Sequence, residues 1–341
     1  MAIAFRNIPK GSSIGGGNYV FRHYGYEPPA IVDIPYLCFT AEKAASTVAM
    51  AVNGTPTQGQ AFEYSTDGTT WYEFIPGTTT ITLSNVGSKA YFRGDNTTIC
   101  ESNSTYYNFV LTGKIAASGN IMSLLDKTCL STTISHAYCY SSIFYNCSSL
   151  TTAPALPATV LSTGCYRYMF YGCTSLTTAP ALPATVLHPD CYGYMFRDCT
   201  SLTTAPALPA ITLASSCYGY MFYGCTSITT APVLPATTLA DSCYSNMFHG
   251  CKSLTTVPAL PATELANNCY SSMFNMCTKL MVYSSPSSGP SYNKPWRIPT
   301  SGNASSYTTQ RRMFFMCYGS YRTTTSVALN KTFYTQNTPV S

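Results

Sequence analysis

Twelve cysteines stand in two files with a single period. Cys139, Cys165, Cys191, Cys217, Cys243 and Cys269 recur every 26 residues, and eight residues after each come Cys147, Cys173, Cys199, Cys225, Cys251 and Cys277. Thiols paired in this way have three chemistries open to them. A metal site is disfavoured, because Cys-x7-Cys is not a zinc-knuckle spacing and His136, His188 and His249 sit at unmatched positions. Disulfides between the partners are permitted by the even count but not required by it. The third is a buried free thiol acting as a small hydrophobe, the state a reducing cytosol would preserve.

Other reactive groups do not converge. Between Cys139 and Val282 the carboxylates are Asp190, Asp198, Asp241 and Glu264, in different columns of the repeat, so no acid/base pair recurs. No glycine-rich phosphate loop is present, and no Ser-His-Asp or Cys-His set stands out. The chain is expected not to be an enzyme and to need no cofactor.

A fixed period in this range implies stacked units that share a core and cannot fold singly. In the unit from Cys165 to Leu187, Cys165, Met169, Phe170 and Cys173 are spaced i, i+4, i+5 and i+8. That spacing predicts about two helical turns with those side chains inward. Phe170, Phe196, Phe222, Phe248 and Phe274 then form a core ladder beside the cysteines. Leu176, Ala179, Leu182 and Leu187 supply the opposite wall. Residues 176–179 suit a very short parallel strand, which Pro180 ends by removing a donor. Rungs about 4.8 Å apart would stack into a block roughly 30 Å long.

The two most regular surface candidates are aromatic. Tyr166, Tyr192, Tyr218 and Tyr244, in a column with Tyr140 and Tyr270, serve either as an exposed platform for sugars or proteins or as rings packed over the thiols. Variation between units concentrates just after Met-Phe, at Tyr171, Arg197, Tyr223, His249 and Asn275. The Thr-Thr column from Thr151/Thr152 to Thr255/Thr256 hardly varies and reads as a structural ladder.

These units resemble the BspA-like (treponemal-type) leucine-rich repeats. Met169-Phe170 falls at the family's Ala-Phe position, Cys173 at its Cys, and Leu176, Ala179 and Leu182-Pro183 at its strand positions. The resemblance covers roughly residues 130–282. The chain departs from it in the 26-residue period, in placing Cys at the start of the turn, and in Pro180. It implies a leucine-rich-repeat solenoid, core positions for the paired cysteines, and binding rather than catalysis. Such proteins are surface adhesins of gut and oral bacteria, and similar arrays occur in gut bacteriophages.

The rest of the chain divides into three regions. Residues 1–30 are a Gly/Ser/Pro-punctuated arm, either a flexible tail or a segment that orders on a partner. Residues 31–120 predict a small all-β, sandwich-like domain with strands near 36–40, 47–52, 61–64, 71–74, 79–83, 90–93 and 106–112. Asp67-Gly68 marks a hairpin. The repeats occupy 121–282, and 283–341 hold a Ser/Pro-rich insertion and a C-terminal cap in which Met313-Phe314-Phe315-Met316-Cys317 repeats the core motif.

Only 9% of residues are charged, so Thr, Ser, Tyr, Asn and Gly must cover the surface. After Tyr283 there are six basic residues (Lys294, Arg297, Arg311, Arg312, Arg322, Lys331) and no acidic one, either a docking surface or a solvated basic end. No basic run suits nucleic acid, and no apolar run suits a membrane span or a secretory signal. Together these features lead to the expectation of a bacteriophage virion protein (fibre, decoration or tail-associated). It would be held to other virion proteins by its N-terminal region, assemble as a homo-oligomer, and touch a host-surface glycan or protein. A bacterial cell-surface adhesin or lectin is the alternative.

Overall fold

The computed structural model describes residues 35–57, 59–283, 294–297, 301–302, 313–314, 317 and 332–335. The arm at 1–30, most of the insertion and the side chains of the basic residues after Tyr283 lie outside the described residues. Contacts divide the chain into two units, Met1–Asp33 and Ile34–Ser341.

The N-terminal region is two sheets built on period-two burial. One sheet places strands β4 (Tyr72–Phe74), β3 (Phe62–Ser65), β6 (Lys89–Gly94), β1 (Leu37–Ala41), β8 (Ile115–Ser118) and β9 (Leu150–Thr152) side by side, and the other places β5 (Thr80–Leu83), β2 (Ser46–Asn53) and β7 (Tyr106–Thr112). All pairs are antiparallel except β8–β9. Inward residues alternate along the strands, as at Val48 and Met50 or Tyr107, Phe109 and Leu111. The two sheets meet through Phe39, Phe92 and Phe109, whose rings cross edge to face at 4.8–5.5 Å. The hairpin at Asp67-Gly68 joins β3 to β4. There the Asp67 carboxylate accepts from the Thr69 and Thr70 N–H groups and the Ser65 hydroxyl, which holds its pKa well below the usual carboxylate range.

β9 belongs to the first repeat, so the sheet runs into the repeat stack without a break. Phe109 of β7 also heads the phenylalanine column. From Phe109 the rings of Phe144, Phe170, Phe196, Phe222, Phe248, Phe274 and Phe314 follow in one stack, with centroids 5.3–5.8 Å apart. The sandwich thus covers the first rung, and Met313, Phe314 and Cys317, all buried, cover the last. After Val282 the backbone returns to the stack: β11 (Val282–Tyr283) and β12 (Lys294–Arg297) pair with β14 (Thr332–Thr335), and β10 (Glu264–Leu265) pairs with β13 (Ser301–Gly302).

The expected helical turns are absent. Among the described residues the only helix is the 3-10 turn Ile121–Leu124. From the residue before the first cysteine to the residue before the second, a left-handed residue recurs every fourth position. In one rung these are Gly164, Tyr168 and Gly172, in the next Asp190, Tyr194 and Asp198. A left-handed residue at that interval breaks an i→i−4 ladder. Each short turn instead closes with i→i−3 bonds: Arg167 N–H to Gly164 O, Met169 to Tyr166, Tyr171 to Tyr168 and Cys173 to Phe170, at 3.0–3.2 Å. The intervening N–H groups donate to the next rung, Tyr166 to Cys191 O, Tyr168 to Gly193, Phe170 to Met195 and Gly172 to Arg197, at 2.8–3.0 Å. Every donor along this stretch is satisfied, half within the rung and half between rungs.

The opposite wall is more irregular than expected. The short strands shrink to single bridges such as Thr152↔Thr178 and Thr178↔Thr204, because the proline two residues later removes the next donor. Leu176, Leu182 and Leu187 are buried there and Ala179 is half-buried. The Thr column contributes Thr177 Oγ1 to Thr151 O and Thr255 Oγ1 to Thr229 O, one rung back.

Candidate functional site

None of the sixteen cysteines forms a disulfide, and all but Cys129 are buried. The second file carries a repeated contact. Cys147 Sγ donates to Phe109 O, Cys173 to Phe144 O, Cys199 to Phe170 O, Cys225 to Phe196 O, Cys251 to Phe222 O, Cys277 to Phe248 O and Cys317 to Phe274 O, at 3.0–3.1 Å. Burial pushes these thiols far up, and in the first file raises Cys139 to about 11 and Cys165 and Cys217 to about 12. Cys191, Cys243 and Cys269 complete that first file, fully buried. Burial and a raised pKa both lower the nucleophilicity of these thiols, and the two files line the core of the stack.

The Tyr166, Tyr192, Tyr218 and Tyr244 column is not a surface. Each ring is 1% exposed, stacked on its neighbours at 5.8–5.9 Å. The residue beside the first cysteine faces inward as well, because the four-residue turns do not follow the facing rule of a helix.

The aromatic feature that reaches solvent lies in two neighbouring, half-buried columns. Tyr168, Tyr194 and Tyr220 stack at 4.7 and 4.5 Å. Alongside them run Tyr145, Tyr171, Arg197, Tyr223 and His249. Tyr145 stacks on Tyr171 at 4.8 Å and Tyr223 on His249 at 4.4 Å, and the Arg197 guanidinium bridges the gap, 5.5 Å from the Tyr171 ring and 4.3 Å from that of Tyr223. Arg197 also approaches Tyr194 and Arg167 approaches Tyr168, so the columns interlock. All of these side chains from Tyr168 to His249 are half-buried.

Charge along this stripe is balanced. Arg197 Nε lies 3.4 Å from Asp198 Oδ2, and Arg167 Nε 3.7 Å from Asp190 Oδ1. Burial raises the pKa of Asp190, with Arg167 opposing, and burial followed by the nearby Arg197 charge lowers that of His249. His249 is therefore biased toward its neutral form. Because neighbouring rings cover one another's faces, a ligand meets ring edges, phenol groups and a guanidinium. Such a surface can hydrogen-bond a polar, uncharged chain laid along the stack.

The column Tyr171, Arg197, Tyr223 and His249 is the part of this stripe that repeat-to-repeat variation pointed to. The Tyr168 column escaped sequence reasoning. Its signal was a bulky residue at a position where other rungs carry Ser142, Asn246 and Ser272, all left-handed. No group of three or more His, Cys, Asp or Glu side chains stands together among the described residues. Among them too, no helix is long and apolar enough to cross a membrane.

Residues 127–229 and 190–292 match the family model of the BspA type leucine rich repeat region, in six copies. No curated protein and no solved structure matches the chain. The matched span begins ahead of the first cysteine pair and runs past the last, so it takes in every rung that carries the stripe. Residues 127–292 are therefore a BspA type leucine rich repeat region.

Proposed function

We propose that this chain is an attachment protein whose repeat stack binds a host surface through the Tyr168–Tyr194–Tyr220 and Tyr171–Arg197–Tyr223–His249 columns. The BspA-type repeats support a surface or adhesion-type repeat protein. One observation carries the assignment to this stripe: Tyr168, Tyr194 and Tyr220 hold φ of 57°, 60° and 59°. A bulky side chain there is disfavoured, and rungs at either end of the stack use smaller residues. In these three rungs the disfavoured conformation carries a ring that lies outside the core.

In the finer reading the protein is displayed on a bacteriophage particle, with residues before the repeats tying it to other virion proteins and several copies acting together. The role is binding; no chemistry is assigned to it, and nucleic acid is not a partner. The low charge of the chain supports an assembled, exposed particle over a monomeric enzyme. Mass spectrometry of purified virions should detect the chain, and the full-length protein should bind host cells while the triple variant Tyr168→Ser/Tyr194→Ser/Tyr220→Ser does not. A chain found instead in the bacterial envelope fraction favours the adhesin reading, and equal cell binding by the triple variant removes the stripe from either.

A further inference from the structure

The N-terminal β region holds a second site, built from the residue types this chain uses least. A cavity of about 430 Å³ opens on the outer side of strands β3, β4 and β6, lined among others by Gln60, Glu63, Trp71, Tyr72, Glu73 and Arg93. That volume falls within the roughly 300–1,000 Å³ of small-molecule sites. Charged residues make up 9% of the chain and it has two tryptophans, yet three charges and one indole line this cavity.

These groups are held in place by one another. The Arg93 guanidinium lies 3.8 Å over the Trp71 ring, and Tyr36 meets that ring edge-on at 4.9 Å. Arg93 Nε donates to Glu63 Oε2 at 2.6 Å, and Lys127 Nζ donates to Glu63 Oε1 at 2.9 Å and lies 3.2 Å from Asp95 Oδ2. The cations Lys127 and Arg93 hold the Glu63 pKa down. None of this network contributes to the core between the sheets. Both carboxylate oxygens of Glu63 are engaged, and the indole packs against Arg93 and Tyr36.

Glu73 is different. It sits directly opposite Glu63 across the β3–β4 pair, a like-charge juxtaposition that costs stability. Unlike Glu63, it has no ion pair among the described residues, and it is exposed on the edge strand. A free carboxylate beside a fixed indole, an amide (Gln60) and a phenol (Tyr72) presents acceptors around an apolar plate. Because Glu63 already takes up both nearby cations, the cavity carries excess negative charge and disfavours an anion. With one uncommitted carboxylate it is a poor cation cage. Vicinal hydroxyls on a ring with one apolar face satisfy both features.

We infer that this cavity binds a neutral pyranose, with its C–H face on the side of the Trp71 ring that Arg93 leaves open and its hydroxyls donating to Glu73 and Gln60. The site is separate from the aromatic stripe on the repeats. A single ring of this size binds with a dissociation constant on the order of 1–10 mM, within reach of ligand-observed saturation-transfer NMR. The probes are the methyl glycosides of glucose, galactose, mannose and N-acetylglucosamine, with glucuronate as the charged comparison, each against the full chain. At least one neutral glycoside should receive saturation from the wild type. The signal should vanish in Trp71→Ala, weaken at least tenfold in Glu73→Gln, and persist in Tyr194→Ser, which alters only the stripe. Should Trp71→Ala fail to fold, Glu73→Gln decides alone, since Glu73 is exposed and makes no ion pair among the described residues. Transfer to none of the neutral probes, transfer untouched in Glu73→Gln, or a preference for glucuronate overturns the assignment.

Discussion

Cys225 Sγ lies 3.0 Å from the carbonyl oxygen of Phe196, a residue 29 positions earlier and one rung back. The same oxygen accepts the Cys199 N–H at 3.1 Å, so the thiol supplies its second donor. The cysteine is therefore more than a small hydrophobe. Because seven thiols make this contact in succession, the second file stitches each rung to the next from inside the core.

Replacing the donor should separate these roles. Cys225→Ala removes both the sulfur and the hydrogen bond and should cost about 1–3 kcal/mol. Cys225→Ser keeps a donor at slightly shorter reach. If the S–H bond matters, serine costs no more than alanine in denaturant titrations followed by circular dichroism. If the site wants only apolar volume, serine is the worse of the two.

Thiol burial also fixes the alkaline limit of the fold. An unfolded cysteine loses its proton near 9.0, whereas Cys139 is raised to about 11 and Cys165, Cys217 and Cys317 to about 12. Between those values the folded state holds more protons than the unfolded one, so stability falls as pH rises. The contribution is intact below about pH 9 and is lost progressively toward 12. Each such thiol removes about 1.4 kcal/mol per pH unit in that window. Melting temperature should thus be flat up to about pH 8.5 and drop steeply above it. In the native protein at pH 8 a thiol reagent should reach Cys129 first, the one half-buried cysteine, and all sixteen in guanidinium.

The phenylalanine column predicts coupling along the stack. Phe222 is fully buried between Phe196 at 5.8 Å and Phe248 at 5.5 Å. Phe222→Ala should cost about 3–5 kcal/mol. Phe248→Ala should cost a similar amount, and the double variant should fall short of the sum by about 0.5–1.5 kcal/mol, the shared ring contact being lost only once. Strict additivity would mean that the rungs contribute independently.

Much of this architecture was legible because two periods dominate the sequence. The 26-residue repeat gave the rungs, the buried Cys, Met and Phe files and the Met313-Phe314 closing contact. Runs rich in Thr, Val, Tyr and Phe between turn signals, with clear alternation at 79–83, placed seven strands to within a residue or two, as at 47–52 against Ser46–Asn53. Strand β8 was missed because Ile-Ala-Ala-Ser is short and small, and it is a strand only through its neighbours β1 and β9. The helical turns were misread for a definite reason: apolar residues spaced by four fit both an α-helix and a run of four-residue turns. The discriminating signal lay in other columns. Gly164, Asp190, Ser216 and Asn268, then Gly172, Asp198, Gly224 and Gly250, are the residue types that left-handed turn positions favour. The Tyr166 column, open in the sequence between an exposed platform and rings packed over the thiols, is the packed one, because these turns bury the residue after each first cysteine.

Those left-handed positions provide the sharpest test of the stripe. Tyr194 holds φ +60°, while its ring packs between those of Tyr168 and Tyr220. In Tyr194→Asn the backbone gains about 1 kcal/mol, because asparagine tolerates this conformation. The side chain loses about 0.5–1.5 kcal/mol of ring stacking. The two nearly cancel, so the melting temperature should move by no more than a few degrees in either direction. Host-cell binding, in contrast, should drop, because the middle of the stripe is gone. A control at the same backbone position, Asn246→Ser, should change neither quantity, since Ser142 and Ser272 already occupy that place in other rungs. A variant that melts far lower while binding is unchanged would make the tyrosines structural and leave the stripe without a ligand.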